Sequence, residues 1–151
     1  ADTAHPVKDS PIVRLLALGD PSGLFRCPDD PDRKGRTSVY PYSYTLNCQS
    51  RVPGIGSIFD STGRFMPYKL GNVRNPSGKI MLAEEPTSDS DCPPGNTKKA
   101  DDGRWDPLPD GSNTLTTRHN KKGLVNFADG HGLPVDYKFA RIANNTNPSL
   151  Y

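Results

Sequence analysis

Apolar and polar residues along this chain rarely hold one period for long, so the elements they predict are short. Ser10 to Gly19 carries Ile12, Leu15, Leu16 and Leu18 at helical spacing. Ser10 suits the cap, Pro11 the first helical position and Gly19 the stop, which predicts one short helix. From Val39 to Cys48, Tyr40, Tyr42, Tyr44 and Leu46 alternate with smaller residues, the pattern of a strand. Residues 49–78 hold Ile55, Phe59, Phe65 and Tyr68 among turn residues and predict irregular chain with at most one short strand. Lys79 to Glu84 is a compact apolar run and predicts a buried strand.

Residues 86–114 are rich in Pro, Asp, Gly and Ser and predict a long loop, of a length that in compact domains usually carries function. Leu124–Ala128 then runs into Asp129-Gly130 and returns as His131–Tyr137. Apolar runs around Asp-Gly predict a hairpin with a type I′ turn. Pro134 places the returning strand at a sheet edge or ends its pairing. The tail after Phe139 is polar, and no internal repeat is present.

These elements add up to an α+β domain: a small antiparallel sheet, one short helix and long Pro/Gly-rich loops. The 151 residues fit a single domain, 1–151, with 1–10 as a polar and mobile N-terminal segment. Composition agrees. Only 32% of residues are hydrophobic, while 14 Gly and 16 Pro interrupt helices and central strands. So lean a core gains from a staple or a partner surface. The net charge is +2, with acids and bases interleaved, which excludes a nucleic-acid stripe; Lys98-Lys99 and Lys121-Lys122 are isolated doublets. No apolar run reaches the ~20 residues that span a bilayer. Ala1-Asp2-Thr3 would suit an end left by signal cleavage, and equally a trimmed chain.

The chemistry-bearing residues are few. Cys27, Cys48 and Cys92 do not have zinc-knuckle spacing; in an oxidising compartment two of them would pair, and the sequence leaves the pairing open. Asp101, Asp102, Asp106 and Asp110 crowd one stretch beside Gly103 and Gly111, a set of hard oxygen ligands suited to calcium. Asp30-x-Asp32-x-Lys34-Gly35 imitates half an EF-hand but places Lys34 and Pro41 where oxygen ligands belong. No Gly-x-Ser-x-Gly elbow or Cys-His protease signature occurs, and the expectation is that the chain is not an enzyme. Trp105, the one Trp, and Tyr40, Tyr42, Tyr44 and Tyr68 read as a loop anchor and cross-strand packing. Their competing role is stacking on sugars, which makes a surface adhesion or carbohydrate-binding module the alternative function.

Four segments in order carry a more specific signal. They are Leu24-Phe25-Arg26-Cys27-Pro28-Asp29, Tyr42-Ser43-Tyr44-Thr45-Leu46-Asn47, Asn75-Pro76-Ser77 leading to Glu84, and Arg118-His119 followed by nine residues and Asp129-Gly130. Together they resemble the bacterial prepilin-type proteins whose C-terminal domain is named for His, nine residues, Asp-Gly. The resemblance spans residues 24 to 131 and marks His119, Asp129 and Gly130 as its motif. It implies the outward-facing globular part of a pilin or pseudopilin, a structural subunit of a type IV pilus-like or type II secretion pseudopilus filament. It also implies secretion, to an extracellular filament or the periplasm, and calcium in a late loop as some pseudopilins hold it. The hydrophobic N-terminal helix of such proteins is missing from this sequence. The implied partners are therefore a pilin helix, from a separate short chain or a removed segment, and identical subunits. For His119 and Asp129 two roles stay open: a clamp or ligand pair, or a loop cap and a plain turn. Nine extended residues span about 30 Å, so direct contact would require the chain to curl.

Overall fold

The computed structural model describes residues 11–16, 22–31, 40, 42–48, 54–56, 62, 64, 68–107 and 113–151. Five strands form one sheet in the order β3-β1-β2-β4-β5. They are β1 (Tyr44–Asn47), β2 (Ile80–Glu84), β3 (Arg104–Trp105), β4 (Lys122–Phe127) and β5 (Gly132–Asp136). Three short helices accompany them: α1 (Pro11–Leu15), α2 (Ser22–Phe25) and α3 (Ala143–Thr146). The α+β class holds, with two corrections.

First, the sheet is mixed. β1–β2, β2–β4 and β4–β5 pair antiparallel, but β1 and β3 are parallel, with Leu46 opposite Arg104 and Asn47 opposite Trp105. The chain leaves β2 at Glu84, beside Tyr44, passes β1 and comes up on its far side. β3 therefore runs against β2 and along β1. Second, the described residues hold three α-helices rather than one. α2 and α3 have four residues each, too short for a periodic apolar face to announce them. In α1 the expected inward face is also wrong: Val13 is buried, while Leu15 is 84% exposed and Leu16 is exposed too. Ser10, Gly19 and the side chain of Ile12 lie outside the described residues, as do Phe59 and Phe65.

β1 covers only the last part of the expected strand, and it is the smaller residues of the alternation that go inward. Thr45 and Asn47 are buried, and Tyr44 and Leu46 half-buried. Half-buried Tyr40 and Tyr42 make an edge-to-face chain with Phe25, Phe25–Tyr42 at 5.7 Å and Tyr42–Tyr40 at 5.4 Å between ring centres. Asn47 earns its interior place by donating to the carbonyls of Ile80 and Thr146, both at 2.8 Å, which ties α3 to the sheet. β2 forms where expected, with a register shift between Ile80 and Leu82. β4 shows the cleanest alternation, with Gly123, Val125 and Phe127 inward.

The core joins Ile80, Ala83, Val125 and Phe127 of the sheet to Trp105, Leu115 and Ala140. Trp105 is fully buried, so it is a strand residue in the core rather than a loop platform. β5 is the edge strand that Pro134 implies. Its turn is not type I′. The Gly130 amide donates to Phe127 O and the Phe127 amide to His131 O, and Gly130 alone carries positive φ, at 95°. That is a three-residue loop, a type I turn closed by a left-handed glycine. A two-residue turn with the I′ signature occurs ten residues earlier. Asn120 and Lys121 have φ of 52° and 65°, and His119 and Lys122 exchange both backbone hydrogen bonds at 3.1 Å.

Candidate functional site

The I′ turn decides where the motif's first residues go. Pairing of His119 with Lys122 starts β4 and directs Arg118 inward, where its side chain is 3% exposed. A buried guanidinium must find partners for five N–H groups, and the loop 86–117 supplies most of them. Nε donates to Asp91 Oδ2 at 2.9 Å and to Thr116 Oγ1 at 3.1 Å. Nη2 donates to Asp91 Oδ2 at 2.5 Å, Glu85 O at 2.9 Å and Thr87 Oγ1 at 3.2 Å. Nη1 reaches Glu84 Oε1 at 3.2 Å and lies 3.6 Å from Asp30 Oδ2. Burial works against the charge of Arg118, and Glu84, Asp91 and Asp30 outweigh it, so the guanidinium holds its proton still more firmly than usual.

The carboxylates are themselves built in. Asp91 closes a capping box with Ser88, a Ser-x-x-Asp pattern visible in the sequence, and accepts the amides of Thr87 and Ser88. Asp30 accepts from Ser43 Oγ at 2.6 Å and Thr87 Oγ1 at 2.5 Å. Ser43 Oγ in turn takes the amide of Cys27 at 3.0 Å. Glu84, fully buried at the end of β2, accepts the Leu124 amide at 3.0 Å and faces His119 Nε2 at 3.0 Å.

His119 is the hub on the solvent side. Its Nε2 lies 3.4 Å from Cys27 Sγ, and its Nδ1 3.6 Å from Asp29 Oδ2. Burial, then a hydrogen bond with Glu84, push the Cys27 thiol up, so it stays protonated at neutral pH. Cys27, Asp29 and His119 are the one group among the described residues whose ligand atoms gather closely enough to hold a metal ion, all within 4.8 Å of one another.

The four sequence segments thus meet in one polar cluster through Cys27, Asp29, Ser43, Glu84, Arg118 and His119. No family model, curated protein or solved structure matches this chain. What can be read of its function therefore comes from the cluster and the sheet that carries it.

The other expected sites fall elsewhere. Asp129 does not reach His119; it sits at the hairpin tip and bonds His131 Nδ1 at 2.5 Å, and that bond holds its carboxyl below the usual range. His131 stacks on Phe127 at 4.3 Å between rings. Asp101, Asp102 and Asp106 do not converge into an oxygen cage as calcium would need. Asp102 is instead taken by Arg104, Nη2 to Oδ2 at 2.8 Å, and Asp110 lies outside the described residues. Asp101, Asp102 and Asp106 border a cavity of about 300 Å³ that also admits Lys98, Lys99 and Arg104. All three cysteines are free thiols in separate surroundings: Cys27 by His119, Cys48 at that cavity, and Cys92 over the carbonyls of Ser88 and Lys98. Asp30 of the EF-hand-like stretch serves Arg118, while Asp32, Lys34 and Pro41 lie outside the described residues.

Sequence reasoning did not single out Asp91, Thr87 or Thr116. Apart from the Ser88 capping box they carry no local signal, because their role exists only when Arg118 arrives from the far side of a loop.

Proposed function

We propose that this chain is the globular part of a pilin-like structural subunit, secreted and built into an extracellular type IV pilus-like or type II secretion pseudopilus filament, and not an enzyme. The observation that carries the reading is the convergence described above. The segments that resemble the prepilin-type family in sequence order are bonded to one another in space, through Ser43, Glu84, Arg118 and His119. A resemblance by chance has no reason to select residues that share one hydrogen-bond network.

The chemistry of the cluster supports a structural role. Its cation and carboxylates are spent on each other and on backbone amides, and its thiol is buried and protonated. The cluster locks the 25–31 segment, β2 and the loop before β4 together, as a subunit under lateral load requires. The filament partners in this reading are a hydrophobic pilin helix, from another chain or segment, and identical subunits. Leu15 at the end of α1 and Leu16 just after it are exposed and offer apolar surface for such packing. The adhesion alternative loses its best platform with Trp105 in the core.

Immunogold electron microscopy of producing cells tests this, using antibody to the folded domain. Label along surface fibres is the expected result. Label confined to the cytoplasm, or to soluble monomer in the medium with no fibres, overturns it.

A further inference from the structure

Beyond any filament role, the solvent side of the cluster has the composition of a transition-metal site. We propose that Cys27, His119 and Asp29 bind one Zn²⁺ ion, with water in the fourth position.

Geometry comes first. Tetrahedral zinc with Zn–S near 2.3 Å and Zn–N near 2.0–2.1 Å sets sulfur and nitrogen about 3.6 Å apart, and nitrogen and carboxylate oxygen about 3.4 Å apart. Cys27 Sγ lies 3.4 Å from His119 Nε2. The Asp29 carboxylate is within 4.8 Å of both Cys27 and His119. Asp29 Oδ2 stands 3.6 Å from the other ring nitrogen, Nδ1, so the three donors surround one imidazole and the exposed Asp29 side chain swings onto the ion to complete the set.

The donor set comes second. One thiolate, one imidazole and carboxylate oxygen suit zinc, whereas magnesium and calcium take oxygen alone. An outer shell is present as well. Glu84, itself held by Arg118 Nη1 and the Leu124 amide, faces the His119 ring from the inner side, and the Cys27 amide is fixed by Ser43. Entry is open: the Asp29 side chain is 73% exposed and His119 is 20% exposed, so the ion arrives from solvent and Asp29 closes behind it. On binding, the Cys27 thiol releases its proton to solvent as the Zn–S bond forms, and His119 binds through its neutral imidazole; no electron is transferred.

The test uses the whole chain, reduced and stripped with chelator, titrated with Co²⁺ as a spectroscopic probe and then competed with Zn²⁺. A thiolate-to-cobalt charge-transfer band saturating at one equivalent, and abolished by one equivalent of Zn²⁺, is expected. Cys27→Ser removes the band; Cys48→Ser and Cys92→Ser keep it. Asp29→Asn alters an exposed side chain, so its fold, checked by circular dichroism, is retained, and it weakens Co²⁺ binding at least about tenfold. That variant decides the matter even if Cys27→Ser does not fold. No saturable band, a band indifferent to Asp29→Asn, or one that follows Cys48 or Cys92 overturns the proposal. The first of those outcomes would leave His119 as a plain bridge between Glu84 and Asp29.

Discussion

Arg118 and Asp91 meet Nη2 to Oδ2 at 2.5 Å with both side chains only 3% exposed. The pair closes the long 86–117 loop onto the start of β4. A buried charge left without its partner is expensive. Arg118→Met, similar in length but neutral, strands Glu84 and Asp91 in the interior and is expected to destabilise the domain by about 3–5 kcal/mol. Arg118→Lys keeps the charge but not the planar fork and should fall between Met and wild type. Urea unfolding midpoints measure both. An Arg118→Met midpoint equal to wild type would show that the cluster holds nothing together.

The turn that delivers Arg118 carries its own strain. A type I′ turn wants Asn-Gly, and this one has Asn120-Lys121 with Lys121 at φ 65°. Left-handed backbone costs a residue with a Cβ about 1–2 kcal/mol, partly offset because glycine frees the unfolded chain by about 0.4–1 kcal/mol. Lys121→Gly, at an exposed position, is therefore expected to stabilise by about 0.5–1 kcal/mol. A melting scan reads it, and a lower melting temperature would contradict the turn assignment.

Gly130 is the reverse case. Its φ of 95° is left-handed, and a Cβ there would meet nothing within 4 Å, so any cost of substitution is conformational rather than steric. Gly130→Val should lose about 1–2 kcal/mol. For a chain of this size that is a drop of roughly 2–8 °C in melting temperature, with Gly130→Asn milder. An unchanged melt with Val would remove the left-handed residue from the β4–β5 turn.

How far the sequence could be read depends on how local each signal is. The β4–β5 hairpin and β2 are legible because apolar runs and an Asp-Gly turn lie within a few residues of one another. Pro134 marks the edge strand for the same reason. β1 is half legible. Its period of two is plain, but which face goes inward depends on Asn47 finding carbonyls on β2 and α3, far away in the chain. β3 is two residues long and is held by a parallel neighbour, so nothing nearby foretells it. The polar cluster divides the same way. His119 and the motif segments are visible in the sequence, whereas Asp91, Thr87 and Asp30 become partners only through loop closure.

Glu85 makes stability depend on pH. It is almost fully buried next to Glu84. One carboxylate oxygen accepts from Asn113 Nδ2 at 2.9 Å. Burial pushes the carboxyl up from 4.5 to about 8, outweighing hydrogen bonds from Thr45 and Asn113, and the charges of Asp101 and Asp102 add to it. The folded state therefore holds this proton more tightly than the unfolded chain does. Stability from this group is complete below the unfolded value and declines as pH rises towards the folded one, by up to about 1.4 kcal/mol per pH unit. Between pH 4.5 and 8 the wild-type domain should lose stability from this source. Glu85→Gln keeps the Asn113 contact and carries no charge, so its profile should be flatter there, with the largest gain over wild type near pH 8. Urea midpoints across that window, wild type against Glu85→Gln, measure the difference. Parallel profiles would mean that Glu85 is ionised in the folded protein, and that water or a counter-charge reaches it inside the sheet.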